Sequence, residues 1–289
     1  MALSYPVSRF LRRRPGVRLG VLLSGPLAWL GLAYLGSLGA LFVTAFWRTD
    51  TFTGLVVPEL TLENFRALVT DSVYRTITLR TVGIAAVVTV VDAVIAFPMA
   101  FCMARVVPPA ARRVLVIAVL TPLWASYLVK AYAWRAMLSG QGVLHWLLSP
   151  FGLDTPGYGL AATVITLSYL WLPYMILPIF AGLERLPGSL VDAAGDLGAK
   201  PLRAFRTVIL PLTMPAVVAG SIFTFSLSLG DYITVQIVGG TSQMLGNVVY
   251  SNIGAANNLP FAATVALVPV VIMIGYLAAA RRTGALDNL

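Results

Sequence analysis

Apolar and polar residues are segregated along this chain in blocks far longer than a soluble helix or strand requires. Apolar stretches at about 19–46, 77–104, 114–138, 159–183, 207–230 and 260–280 alternate with shorter segments that hold most of the charge. Crossing the ~30 Å hydrocarbon core takes roughly 20 residues at ~1.5 Å per residue, so each stretch is long enough to span. Backbone amides facing lipid have no water to bond, which makes each crossing helical. The pattern predicts an all-α membrane protein with six transmembrane helices. Three parts follow: a basic tail (1–18), a six-span domain (19–280) and a short second tail (281–289). Leu19 to Trp47 carries no charge and is too long for the apolar core of a signal peptide, so it reads as an uncleaved first helix.

Composition agrees with the pattern. Hydrophobic residues make up 58% and charged residues only 11%, against about 25% charged in soluble domains. The net charge is +9, but the basic residues form no stripe that would suit a nucleic acid. The expected surroundings are membrane lipid. The single cysteine, Cys102, allows no internal disulfide, and one histidine, His145, builds no metal centre alone.

The positions of lysine and arginine set the expected orientation. Arg9, Arg12, Arg13, Arg14 and Arg18 precede the first span, and Arg105, Arg112 and Arg113 follow the second. Arg185, Lys200, Arg203 and Arg206 lie between the fourth and fifth, and Arg281 and Arg282 follow the last. These fourteen of the twenty basic residues fall on one side, which predicts cytoplasmic termini. The outer side holds Arg48, Arg66, Arg75, Arg80, Lys130 and Arg135, partly offset by Asp50, Glu59, Glu63 and Asp71. Thr61 to Phe65 is expected to open a short surface helix. The uncharged polar segment Gly239–Asn258 reads either as an ordinary loop or as a re-entrant piece.

Between the fourth and fifth spans, Leu186 to Pro215 is a polar island with the punctuation of two short helices meeting at a corner. Ser189 is expected to cap a helix over about Leu190–Leu197, with Asp192 three residues on to return the bond. Gly198 suits the left-handed turn after it, and Pro201 the first turn of the next helix. Ala193, Ala194, Gly198 and Ala199 keep one side thin enough for another protein to approach.

Ionisable groups inside spans are expensive and default to a functional role. Asp92 falls within the second span, and Asp231, followed by Tyr232, closes the fifth. Asp92 reads as a buried hydrogen-bonding group in a solute path or in packing, and Asp231 as a cation contact or a group solvated at the interface. Lys130 and Arg135, near the outer end of the third span, read as interface anchors or as partners of an acid on another helix. Trp124, Tyr127, Tyr132 and Trp134, with Tyr169, Trp171 and Tyr174, fit an interfacial aromatic belt or the lining of a cation path. Pro98, Pro122, Pro173, Pro178, Pro211, Pro215 and Pro269 would kink the helices that hold them. There is no G-x-x-x-x-G-K-[ST], no H-E-x-x-H and no G-x-S-x-G, so neither nucleotide hydrolysis nor hydrolytic catalysis is expected here. Uphill transport by this chain would need energy from elsewhere.

The stretch from Asp192-Ala193-Ala194 through Gly198 to Phe205 and Leu210-Pro211 resembles the cytoplasmic "EAA" signature loop of bacterial ABC importer permeases, with Asp192 in the place of the usual Glu. Lys130-Ala-Tyr-Ala-Trp134 with Leu138 and Gly142, Tyr169 to Leu177, and Met244-Leu245-Gly246-Asn247 are similar to segments of the spermidine/putrescine importer permeases, where Lys130 often has Arg as its counterpart. The resemblance implies a type I ABC importer permease fold whose loop 186–211 holds a coupling helix. The expected partners are a second homologous permease, two ABC ATPase subunits that bind the ATP and Mg, and a periplasmic or lipid-anchored substrate-binding protein. No cofactor is expected in this chain. The resemblance implies ATPase coupling by Ser189, Asp192, Ala193, Ala194, Gly198, Ala199, Phe205 and Pro211. A path for a small cationic solute, a polyamine, would then be lined by Asp92, Tyr127, Tyr132, Trp134, Tyr169, Trp171, Asp231 and Tyr232. Related permeases serve ferric iron, thiamine or phosphonates. An anion path would use Lys130 and Arg135, and a stand-alone channel or secondary transporter is the alternative outside the family. The expected location is the bacterial inner membrane.

Overall fold

The structure, a computed structural model, describes residues 15–50, 52–282 and 284. The tail arginines Arg9, Arg12, Arg13 and Arg14, which contribute to the expected charge asymmetry, lie outside the described residues. The chain enters through α1 (Pro15–Trp29), a π-helical turn (Leu30–Leu35) and α2 (Gly36–Thr44). A small antiparallel hairpin follows, β1 (Arg48–Thr49) with β2 (Val56–Val57), Arg48 opposite Val57. At its tip the Thr53 and Phe52 amides donate to the Asp50 carboxylate and hold it below the usual carboxylate range. The short helix expected after Thr61 is α3 (Glu63–Thr70). Asp71 then caps α4 (Ser72–Phe101) by accepting from the Val73 amide at 2.8 Å.

After a second π turn (Cys102–Val106) come α5 (Pro109–Trp124), α6 (Tyr127–Leu138) and α7 (Val143–Leu148). The long α8 (Leu160–Arg185) leads into a corner made by α9 (Gly188–Asp196) and α10 (Pro201–Ala204). A third π turn (Phe205–Ile209) joins α10 to α11 (Leu210–Leu229). The chain closes with α12 (Ile233–Val238), α13 (Leu245–Ile253) and α14 (Leu259–Arg281). Each π turn begins four residues after a proline: Pro26, Pro98 and Pro201.

Helices α4, α8 and α11 form the packed centre. Towards the corner, Ala96, Ala100 and Met103 meet Met175, Ile179, Leu183 and Ile209. Towards the other end, Ile84 and Val88 meet Leu167, Leu170, Val235 and Met244. Less than half of any spanning window is buried inside the chain, and none of Leu22–Thr44 is. The remaining apolar surface is what lipid or another membrane subunit would cover.

Among the described residues five helical runs are long and apolar enough to cross a membrane, and one bent helix pair is long and apolar enough to make up to six. The expected continuous third span, 114–138, is instead broken between α5 and α6, whose axes turn by 93°. Ala125 and Ser126 are both extended. At the break the Pro122 carbonyl accepts from the Ala125 amide (3.3 Å) and also from Lys130 Nζ (3.1 Å). Within Gly239–Asn258 only Leu245–Ile253 is helical (α13), and its Leu245 and Val248 are buried against Ile77, Phe261 and Val265.

Candidate functional site

The corner between α9 and α10 forms where local backbone chemistry demands it. Gly198 has φ +80°, and the turn closes with the Ala199 amide on the Ala194 carbonyl (2.9 Å) and the Gly198 amide on the Gly195 carbonyl (2.8 Å). This pair of bonds is the Schellman arrangement, which satisfies the last carbonyls of α9. Pro201 occupies the first turn of α10, as expected. The expected Ser189 cap does not form. Helix α9 starts two residues earlier, at Gly188, with Pro187 as its N-cap and no side-chain cap bond. The Leu190 amide reaches the Pro187 carbonyl (3.3 Å), so Ser189 lies within the first turn.

Ser189, Asp192, Ala193, Gly198 and Pro211 are exposed, and Ala194 and Ala199 are half-buried. Leu197, which the sequence reading did not single out, is 90% exposed beside Gly198. An isolated apolar side chain at a helix end is the signal that could have found it. Inward, Val191 packs on the α4–α8 cluster. Phe205 meets Phe97 of α4 edge-on, with centroids 5.4 Å apart, so it ties the corner to the bundle.

Two arginines read only for their sign hold specific carbonyls. Arg105 donates to the carbonyls of Leu183 (2.8 Å) and Leu186 at the end of α8. Arg112, in the first turn of α5, donates to the carbonyls of Met103 (3.1 Å) and Ala104 (2.9 Å) and pairs with Glu184 at 2.9 Å. Arginine near a helix C-terminus is the available sequence signal, because the last carbonyls there lack intrahelical donors.

The residues expected to line a path fall into separate groups. Asp92 is fully buried on α4, with Ser168 of α8 beside it, and among the described residues its two carboxylate oxygens have no partner at hydrogen-bond distance. Asp231 is 7% exposed, which removes the interface-solvation reading. One carboxylate oxygen accepts from the Thr234 amide (2.9 Å); the other accepts from the Thr234 hydroxyl (3.2 Å) and from Tyr127. Tyr127 stacks on Trp171 with centroids 5.9 Å apart. Trp134 packs against Tyr169 and Tyr232 stacks on Tyr250. Tyr132 is exposed and makes no ring contact among the described residues. The structure thus joins Tyr127, Trp171 and Asp231, and sets Asp92 beside Ser168, three residues before Trp171 on α8.

Among the described residues Lys130 and Arg135 pair with no acid. Lys130 holds Pro122, as above, and Arg135 donates to the Ile237 carbonyl at 2.7 Å, at the end of α12. The Arg135 guanidinium also lies over the Tyr158 ring, 5.2 Å from its centroid. Between α4, α5 and α8 lies an apolar cavity of about 400 Å³, with Met99, Cys102, Val119 and Leu172 in its wall.

Comparison with known proteins places this geometry. Residues 86–282 match the family described as "Binding-protein-dependent transport system inner membrane component". The chain is 46% identical over 301 residues to the inner membrane ABC transporter permease protein YdcU of Escherichia coli (strain K12), covering 98% of this chain and 95% of that protein. It is 32% identical to the spermidine/putrescine transport system permease protein PotB of Haemophilus influenzae, covering 74% and 76%. To PotB of Escherichia coli it is 30% identical, covering 85% and 90%. In fold it is similar to a chain of a bacterial ABC transporter involved in the import of the acidic polysaccharide alginate, with a TM-score of 0.73 at 16% identity, covering 96% and 99%. It is also similar to a chain of the MetNI methionine ABC transporter in an inward-facing conformation, with a TM-score of 0.54 at 19% identity, covering 74% and 97%. The chain therefore belongs to the binding-protein-dependent transport family, as an all-α inner-membrane permease subunit of an ABC importer.

Proposed function

We propose that this permease carries a small cationic solute, a polyamine such as spermidine or putrescine, by alternating access. The observation that carries the reading is the 30–32% identity to PotB proteins over most of the chain. The fold itself carries no cargo information, since a similar fold serves an acidic polysaccharide. Charge placement supports a cation. Asp92 is a buried carboxylate with free acceptor capacity, whereas Lys130 and Arg135, the attractors an anion path would use, are held on backbone carbonyls. In this reading Asp92 meets an ammonium group when α4 and α8 separate. Asp231 holds Tyr127, and through it Trp171, as an aromatic wall. Tyr132, Trp134, Tyr169 and Tyr232 extend that wall.

The corner α9–α10 is the coupling element, docking on one of two ATPase subunits that bind ATP and Mg. A second related permease completes the pore, and a substrate-binding protein delivers cargo from outside. The alginate transporter solved in complex with a periplasmic protein supports this composition. Both termini and α9 face the cytoplasm, supported by the fourteen of twenty basic residues on that side. ATP closes the nucleotide-binding dimer, α9 is drawn with it, and the spans reopen towards the binding protein.

The test is ATP-driven uptake of labelled spermidine by proteoliposomes holding the complete complex. Saturable accumulation that unlabelled putrescine competes away is the expected result. Accumulation of a phosphonate or thiamine with no spermidine uptake would overturn the cation reading.

A further inference from the structure

Only Leu186 and Pro187 separate the end of α8 from the start of α9. At that junction the inner ends of three crossings are tied by side chains. Arg105, at the end of the second crossing, donates to the carbonyls of Leu183 and Leu186. Arg112, at the start of α5, reaches back to the carbonyls of Met103 and Ala104 and forward to Glu184. A guanidinium presents several donors in a fixed fork, so each arginine fixes an orientation between two helices rather than a mere contact. The Arg112–Glu184 pair is part-exposed, with side-chain exposures of 31% and 41%, and such pairs contribute little to stability.

We propose that Arg105, Arg112 and Glu184 form a clasp that makes α9, the end of α8 and the inner ends of α4 and α5 move as one body. They are positioning residues for coupling and touch neither nucleotide nor solute. The proposal rests on the reading of α9 as the ATPase-docking element and is independent of the cargo. Displacement of α9 alone would bend the Leu186–Pro187 link; with the clasp closed, the same displacement carries α4 and α5 and opens the centre of the bundle.

The test uses the complete complex in liposomes with Cys102 replaced by serine and spin labels at positions 113 and 196, on α5 and α9. The separation of the two labels is measured with and without ATP under turnover-blocking conditions. With the clasp intact, a single distance unchanged by ATP is expected. Glu184→Gln should make the distance shift or broaden with ATP, and Glu184→Asp should restore it. Arg112→Gln, which strips the carbonyl bonds as well, should give the larger shift; if it fails to assemble, Glu184→Gln decides. An ATP-dependent shift in the protein without clasp substitutions, or an unmoved distance in Glu184→Gln, would overturn the clasp. A second label pair, position 196 with the ATPase surface, separates the two readings. If α9 does not follow the ATPase there, docking itself has failed, and the clasp falls with it.

Discussion

Gly220 of α11 lies against the backbone of Met175 of α8 so closely that a methyl group there would sit 3.2 Å from both the Met175 Cα and its carbonyl oxygen. Seven residues further along α8, Gly182 faces the Ala216 side chain, where an added carbon would come to 2.6 Å. In lipid, helices gain no hydrophobic driving force from pairing, so small residues that let backbones approach supply the packing. Gly220→Ala should therefore lower the unfolding temperature in detergent, with a cost of about 1–3 kcal/mol for overpacking. Gly83, on an open face of α4 with nothing within 4 Å, is the control. Gly83→Ala should be neutral or stabilising by about 0.5–1 kcal/mol. Equal effects at the two glycines would show that the close crossing is not what holds α8 to α11.

Tyr127 and Asp231 come from opposite sides of the broken third crossing and the end of the fifth, 104 positions apart. Tyr127→Phe removes one donor to the carboxylate, and Asp231→Asn removes acceptor capacity shared by Tyr127 and Thr234. Each should destabilise by about 1–3 kcal/mol, because a buried polar group loses its partner. The double variant should cost less than the sum by about 0.5–3 kcal/mol, the coupling typical of residues in one network. Thermal unfolding of the four proteins measures this, and strict additivity would mean that the two groups do not interact.

The sequence told most where a rule is local or where lipid imposes it. Six apolar stretches were legible because the bilayer sets their length. The corner at Gly198 and Pro201 was legible because few residues suit a left-handed turn or a helix's first turn. The Ser189 cap was misread because the helix start slips two residues back, where the carbonyl of Pro187 closes the first turn. The break at Ala125–Ser126 was not legible. It is held by Lys130 on Pro122 and by Arg135 on Ile237, and the second bond joins residues 102 positions apart. Arg105 lies 78 and 81 positions from the carbonyls it holds, so counting charges could not show what it holds. Asp231 sits at the end of an apolar run, which suggested solvent. Its burial comes from chain that folds back over it, with Gly246 of α13 against the Asp231 backbone and the Tyr232 Cβ.

Gly198 differs from Gly220 in kind. Its φ is +80°, and within this chain nothing lies within 4 Å of an added carbon. A side chain there costs backbone strain of about 1–2 kcal/mol for most residues, and much less for asparagine, which visits the left-handed region readily. Gly198→Asn should therefore keep an unfolding temperature near that of the unsubstituted protein, while its bulk obstructs a docked ATPase and lowers ATP-driven spermidine uptake. Gly198→Leu should lose both. Full uptake by Gly198→Asn would mean that the position serves the turn alone and that no partner approaches closely there.

Asp92 offers the sharpest separation of stability from function. Its carboxylate is fully buried, and both oxygens lack partners. An unsatisfied buried polar group costs about 1–3 kcal/mol, and an apolar side chain of similar shape relieves that cost. Asp92→Leu should thus hold or raise the unfolding temperature of the complex. If the carboxylate meets an ammonium group during transport, the same substitution should cut spermidine uptake at least about tenfold, the loss expected from ~1.4 kcal/mol of binding. Asp92→Asn, which keeps the shape and removes the charge, should fall between. A stable Asp92→Leu complex with undiminished uptake would take the carboxylate out of the solute path. A destabilised one would mean that Asp92 acquires partners, such as Ser168, in another state of the transport cycle, and that its role is structural.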